Sequence, residues 1–92
     1  MPGALYGFSY SAHSLEYLKT LPQKFRKQII AKINALASEP HPGNSKLVQS
    51  IKGGDERVFR IRSGDYRILY VVRDNPDQIV VLDIDHRKDV YR

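Results

Sequence analysis

Arg57-Val58-Phe59-Arg60-Ile61-Arg62, then Ser63-Gly64-Asp65, then Tyr66-Arg67-Ile68-Leu69-Tyr70-Val71-Val72, decide the fold. The first six residues alternate charged and apolar. The last seven are rich in aromatic and β-branched side chains, and the Gly between the runs marks a turn. A third run, Gln78-Ile79-Val80-Val81-Leu82-Asp83-Ile84-Asp85, follows a second turn at Asp74-Asn75-Pro76-Asp77. Three strands joined by short turns make an antiparallel meander.

Upstream the period changes. Leu5-Tyr6-Gly7-Phe8-Ser9-Tyr10 places aromatics two apart and predicts a short strand. Ser11 suits a helix N-cap, and Leu15, Leu18 and Leu21 follow at helical spacing. Pro22 ends that helix near Thr20 and suits the first turn of the next. Phe25, Ile29, Ile30, Ile33, Leu36 and Ala37 then share one helical face, and Lys24, Arg26, Lys27, Lys32 and Asn34 the opposite one. Pro40-His41-Pro42-Gly43-Asn44 stops the second helix, and residues 41–55 read as a long loop. The expected order is β-α-α-β-β-β: an α+β fold with a helical hairpin packed on one face of a mainly antiparallel sheet. Residues 1–92 read as one domain.

The 92 residues hold 15 Lys+Arg against 10 Asp+Glu, a net charge of +5, and 41% are hydrophobic. That apolar share supports a core and argues against wholesale disorder. With no Cys there is neither a disulfide framework nor a zinc–thiolate site. No apolar run approaches the roughly 20 residues that span a bilayer. Met1-Pro2-Gly3-Ala4 lacks the basic and apolar regions of a signal peptide, so a cytoplasmic protein with no membrane association is expected. His13, His41 and His86 show no metal-ligand spacing; His13 and His41 read as surface residues, and no metal or cofactor is expected. A small basic protein of this kind most often meets a polyanion.

Strand parity assigns the faces. Phe59 and Ile61 share one side with Ile68, Tyr66, Tyr70 and Val72, toward the helices. In the third strand, Val80, Leu82 and Ile84 are expected inside and Val81, Asp83 and Asp85 outside. The open face then shows Arg60, Arg62, Arg67 and, just past the strand, Arg87, with Asp83 and Asp85 placed to pair with them. Arginine offers a planar fork matched to phosphate oxygens, so this face suits nucleic acid. A plain solvated sheet face is the alternative.

The stretch from Arg57 to Tyr70 resembles the basic strand, turn and Tyr-Arg segment of RelE/ParE superfamily toxins. The tail His86-Arg87-Lys88-Asp89-Val90-Tyr91 resembles the ending of the RelE branch. Phe8-Ser9-Tyr10-Ser11-Ala12, Leu21-Pro22 and the Ile-rich second helix are similar to the superfamily as well, so the resemblance runs from about Tyr6 to Arg92. It implies a type II toxin–antitoxin toxin. A RelE-type toxin is an endoribonuclease that enters the ribosomal A site and cuts mRNA without metal, inhibiting translation. The 2′-hydroxyl attacks the adjacent phosphate and leaves a 2′,3′-cyclic phosphate and a 5′-hydroxyl. The resemblance implies that Arg67 and Arg87 stabilise the phosphate, that Arg60 adds charge, and that Tyr91 is general base or stacks on a nucleotide. An ordinary phenol titrates near 10, and the cations Arg87, Lys88 and Arg92 favour phenolate. Lys52, Arg57, Arg62, Lys88 and Arg92 are further RNA-contact candidates. One position departs from the pattern: where the family carries a base two residues before Arg60, this chain has Val58. His86 is the reserve base, although parity aims it at the helices. The implied partners are an acidic antitoxin and the mRNA-bearing ribosome. The rivals are a ParE-like inhibitor of DNA gyrase, which needs no Tyr91, and a non-catalytic binding module of the same fold.

Overall fold

The computed structural model describes residues 6–43, 45–50, 57–73 and 77–86. Strand β1 (Gly7–Tyr10) leads into helix α1 (Ala12–Thr20) and helix α2 (Gln23–Ala35); β2 (Lys46–Ser50), β3 (Arg57–Ser63), β4 (Tyr66–Arg73) and β5 (Gln78–His86) follow. The order is thus β-α-α-β-β-β-β. The strand β2 lies within residues 41–55, which the sequence reads as loop, and it pairs antiparallel with β3. The sheet runs β1-β5-β4-β3-β2, with β1 parallel to β5 and the other pairs antiparallel. The α+β architecture, with helices on one face of a mainly antiparallel sheet, is as the sequence implies.

Local chemistry explains the helix ends. Ser11 is the N-cap of α1: its hydroxyl accepts from the Ser14 backbone N–H at 3.0 Å, filling one orphan donor of the first turn. Pro22 stands between the helices, where its missing N–H costs nothing and its carbonyl accepts from Phe25 and Arg26. Gly64 takes φ +61° in the β3–β4 turn, a left-handed geometry that suits glycine.

The core lies between the helices and one sheet face. Leu18, Ile29, Ile33 and Leu36 meet Ile61, Ile68, Tyr70, Ile79, Val81 and Ile84. Leu15, expected on the buried face of α1, is instead 45% exposed, while Ser14 is fully buried. The reason is the cap: the Ser14 hydroxyl lies 2.8 Å from Ser11 Oγ, which turns Ser14 and Leu18 toward the sheet. Tyr70 is buried and donates from its hydroxyl to the Pro40 carbonyl at 2.7 Å, tying the segment after α2 to the sheet. Burial pushes its phenol above the ordinary value, against a smaller opposing effect of a hydrogen bond with Ser45.

The parity of β5 differs from the expected one. Leu69 stands opposite Asp83, but Tyr70 stands opposite Val81, so Leu82 is an extra residue in a β-bulge. Ile79 and Val81 therefore join Ile84 in the core, and Val80 and Leu82 do not. Asp83 and Asp85 keep the outer face, because they lie beyond the bulge.

This register predicts an ordering of stabilities. Val81→Ala removes buried methyls and should cost about 2 kcal/mol. Leu82→Ala should cost less than about 1 kcal/mol. Urea denaturation of the two variants checks it, and the reverse order is what simple alternation along β5 would give.

Candidate functional site

The uncovered face carries charge in two rows set by strand register. Lys46, Arg60, Leu69 and Asp83 are mutual partners across β2, β3, β4 and β5. One step along, Arg62, Arg67 and Asp85 form the second row. Directly opposed residues on neighbouring strands point to the same side and stand roughly 5 Å apart at Cβ. Four cations and two carboxylates therefore share one patch of sheet.

Between the rows lies a recess of about 260 Å³ lined by Val48, Arg60, Arg67, Leu69 and Asp85. Arg60 and Arg67 are both half-buried in the wall of this recess. Leu69 and Val48 give it an apolar floor and flank. Two guanidinium forks beside an apolar surface suit a phosphate with an adjoining sugar or base.

The other proposed residues divide clearly. Arg62 is exposed on the same face, in register with Arg67. Arg57 is exposed but alternates with Val58 onto the helix side of β3. His86 pairs with Tyr66, its ring edge-on at 5.1 Å, and its Nε2 lies 4.0 Å from Asp65 Oδ2. Tyr17 and Phe25 of the helices meet the same Tyr66 ring, so His86 stands on the helix-covered face, away from Arg60 and Arg67. Lys52, Arg87, Lys88, Tyr91 and Arg92 lie outside the described residues. Lys46 is a cation that the sequence reading missed: the only signal was an apolar pair, Leu47-Val48, too short to announce a strand.

Val58, the departure from the family pattern, is only 4% exposed. One register step beyond Phe59–Tyr70 it sits beside Val71, itself fully buried, and Val71 pairs with Val80. This end of the outer face is a valine patch, and the cations begin at Arg60.

Sequence reading treats His13 as an isolated surface residue. It is 63% exposed at the side chain, yet its Nε2 lies 2.8 Å from Asp83 Oδ1 and 3.8 Å from Asp85 Oδ1. The three groups offer ligand atoms within 4.8 Å of one another, an arrangement that the His13–Asp83 contact accounts for without an ion. Among the described residues, Asp83 thus pairs with a histidine, where the sequence suggested an arginine.

A family model for the ParE toxin of type II toxin–antitoxin systems matches residues 10–91. The chain belongs to this RelE/ParE family of type II toxins, on the RelE-like side of it. A relative named RelE1 from Methanocaldococcus jannaschii is 33% identical over 78 residues, covering 85% of this chain and 86% of its own. Toxin RelG of Mycobacterium tuberculosis is 37% identical over 57 residues, 62% of this chain and 61% of its own. Among solved structures, the RelBE2 toxin–antitoxin complex of M. tuberculosis superposes with a TM-score of 0.74 at 26% identity, covering 92% of this chain and 94% of that one. The archaeal RelE–RelB complex of Pyrococcus horikoshii superposes at 0.77 over 90% and 96%; at 24% identity that likeness speaks for the fold.

The burial of Val58 yields a test. Val58→Lys, which restores the family's base on paper, places an ammonium among valines and should cost at least ~2 kcal/mol of stability. Thermal unfolding against Arg62→Lys, an exposed control within about 0.5 kcal/mol of wild type, measures it.

Proposed function

We propose that this toxin is a ribosome-dependent endoribonuclease that cuts mRNA in the A site. The observation that carries the reading is the convergence of Arg60 and Arg67 on one recess of the uncovered face. The RNA supplies its own nucleophile. Its 2′-hydroxyl attacks the neighbouring phosphorus, the bond to the 5′-oxygen breaks, and a 2′,3′-cyclic phosphate and a 5′-hydroxyl result. Negative charge builds on the phosphate oxygens, where fixed guanidinium groups act most strongly. Arg67 and Arg87 hold the phosphate, and Arg60 adds charge at the recess wall. Arginine stays protonated above pH 12 or so, so it does not take the proton. That role falls to Tyr91, with His86 in reserve. The placement of His86 beside Tyr66 supports Tyr91 over it. Lys46, Lys52, Arg62, Lys88 and Arg92 add contacts to mRNA and ribosomal phosphates, whereas Arg57, on the helix side of β3, stands away from them.

The partner that restrains such a toxin is an acidic antitoxin, as in the RelE–RelB complexes that share this fold. Its charge complements the +5 of this chain. The toxin works in the cytoplasm, where ribosomes are; no described helix is long and apolar enough to cross a membrane.

The ParE description of the matching family model favours a second reading, a gyrase inhibitor that binds without catalysis. Ribosomes programmed with a defined mRNA separate the two. Arg67→Ala and Tyr91→Ala should each lower the cleavage rate by about 10²- to 10³-fold. Arg57→Ala, on the opposite face, should lower it less than about threefold. Uncut mRNA with wild-type toxin, together with loss of DNA supercoiling by gyrase, would establish the ParE-like activity instead.

A further inference from the structure

Asp85 belongs to two groups at once. It lines the recess with Arg60 and Arg67 and stands directly opposite Arg67 in the β4–β5 register. It also faces His13, whose Nε2 is 3.8 Å from Asp85 Oδ1 and 2.8 Å from Asp83 Oδ1. The fold explains how a helix residue reaches the outer face. β1 ends at Tyr10, opposite Val81, so among the described residues no strand pairs with that edge of β5 from Leu82 onward. The first turn of α1 is pinned there by Ser11, and His13 passes around that edge.

We propose that His13 is a positioning residue that sets how strongly Asp85 competes with an RNA phosphate for Arg67. The inference rests on the reading of the recess as a phosphate site. Asp83 Oδ1 is shut off from solvent and accepts no well-formed hydrogen bond, so its charge is compensated by the His13 contact. Histidine is the side chain that gains charge between pH 8 and 5. Charged, His13 draws both carboxylates toward the β5 edge, and Arg67 is left to the phosphate. Neutral, it leaves two carboxylates on one strand face, and Asp85 is held less toward the β5 edge and more toward the recess it lines with Arg60 and Arg67. RNA affinity is then higher at pH 5.5 than at pH 8.0. The charged groups around this pair are Glu16 of α1, engaged by Lys19 at 3.6 Å, Asp83 and Asp85 of β5, Arg67 of β4, and Arg60 of β3, which lines the recess with Asp85.

The test uses a fluorescent 2′-O-methyl RNA oligonucleotide, which lacks the attacking hydroxyl and is bound without being cut. Its Kd is measured at low salt from pH 5.5 to 8.0 for wild type, His13→Gln, Asp85→Asn and the double variant. Glutamine keeps a hydrogen-bonding side chain but never charges. The loss of affinity between pH 5.5 and 8.0 should be roughly threefold to fivefold larger in wild type than in His13→Gln. Asp85→Asn should bind more tightly at pH 8.0, and adding His13→Gln to it should change Kd by less than about twofold. A purely structural His13 would lower affinity at every pH and in both backgrounds. Equal pH profiles for wild type and His13→Gln overturn the inference, as does an undiminished His13→Gln effect beside Asp85→Asn. Subtracting the two profiles removes contributions from His41 and His86. Cleavage of mRNA on ribosomes at neutral pH is run in parallel. Wild type that cuts but shows no His13-dependent profile defeats this inference alone; wild type that neither cuts nor binds defeats the phosphate-site reading with it.

Discussion

The Ser11 hydroxyl donates to the Leu82 carbonyl at 2.7 Å, and the Ser11 N–H donates to the Val81 carbonyl at 2.9 Å. Those two bonds join the start of α1 to the bulge in β5, and much of the architecture depends on them. A bulge residue loses its place in the ladder and leaves backbone groups to be satisfied elsewhere. Here the helix cap takes up one of them. The bulge shifts alternation by one residue, so Ile79, Val81 and Ile84 all reach the core while Asp83 and Asp85 stay outside. The same junction brings His13 to those two carboxylates. One serine thus caps a helix, closes a bulge and sets the acidic edge of the basic face.

The charge balance of that face follows from the junction. Without the bulge, strict alternation from Ile79 and Val81 would aim Asp83 and Asp85 at the helices, where unpaired carboxylates are costly. With it, they stand beside Leu69 and Arg67, opposite the cations Lys46, Arg60 and Arg62. The face is therefore polarised, with cations toward β2 and carboxylates toward the β5 edge. The recess is thus lined by the guanidinium-bearing Arg60 and Arg67 together with Asp85. Val58 marks where the basic zone stops, because it is buried with Val71.

Most of the fold is legible in local pattern. Ser11 reads as an N-cap and Pro22 as a helix boundary because each acts within one turn of chain. Arg60, Arg62 and Arg67 fall on one face by period two, and Tyr66 and Tyr70 on the other, because β3 and the first half of β4 alternate without interruption. The β5 register is not legible: Ile79, Val80, Val81 and Leu82 are all apolar, and a continuous apolar run carries no parity. The strand β2 is hidden for a related reason, since Leu47 and Val48 are adjacent and both exposed, so no alternation marks them. His13 meets its partners through a contact spanning most of the chain, which no local rule contains. Its exposure made the surface reading correct as far as it went.

A scissile RNA phosphate held in the Arg60–Arg67 recess, as proposed, would leave its mark on the products. The most direct measurement is the chemistry of the cut ends. Programmed ribosomes are incubated with wild-type toxin, and the upstream mRNA fragment is analysed by mass spectrometry. The fragment should end in a 2′,3′-cyclic phosphate, its neighbour should begin with a 5′-hydroxyl, and the same mRNA without ribosomes should stay uncut. Intact mRNA, or fragments ending in a 3′-hydroxyl and a 5′-phosphate, would contradict the proposal.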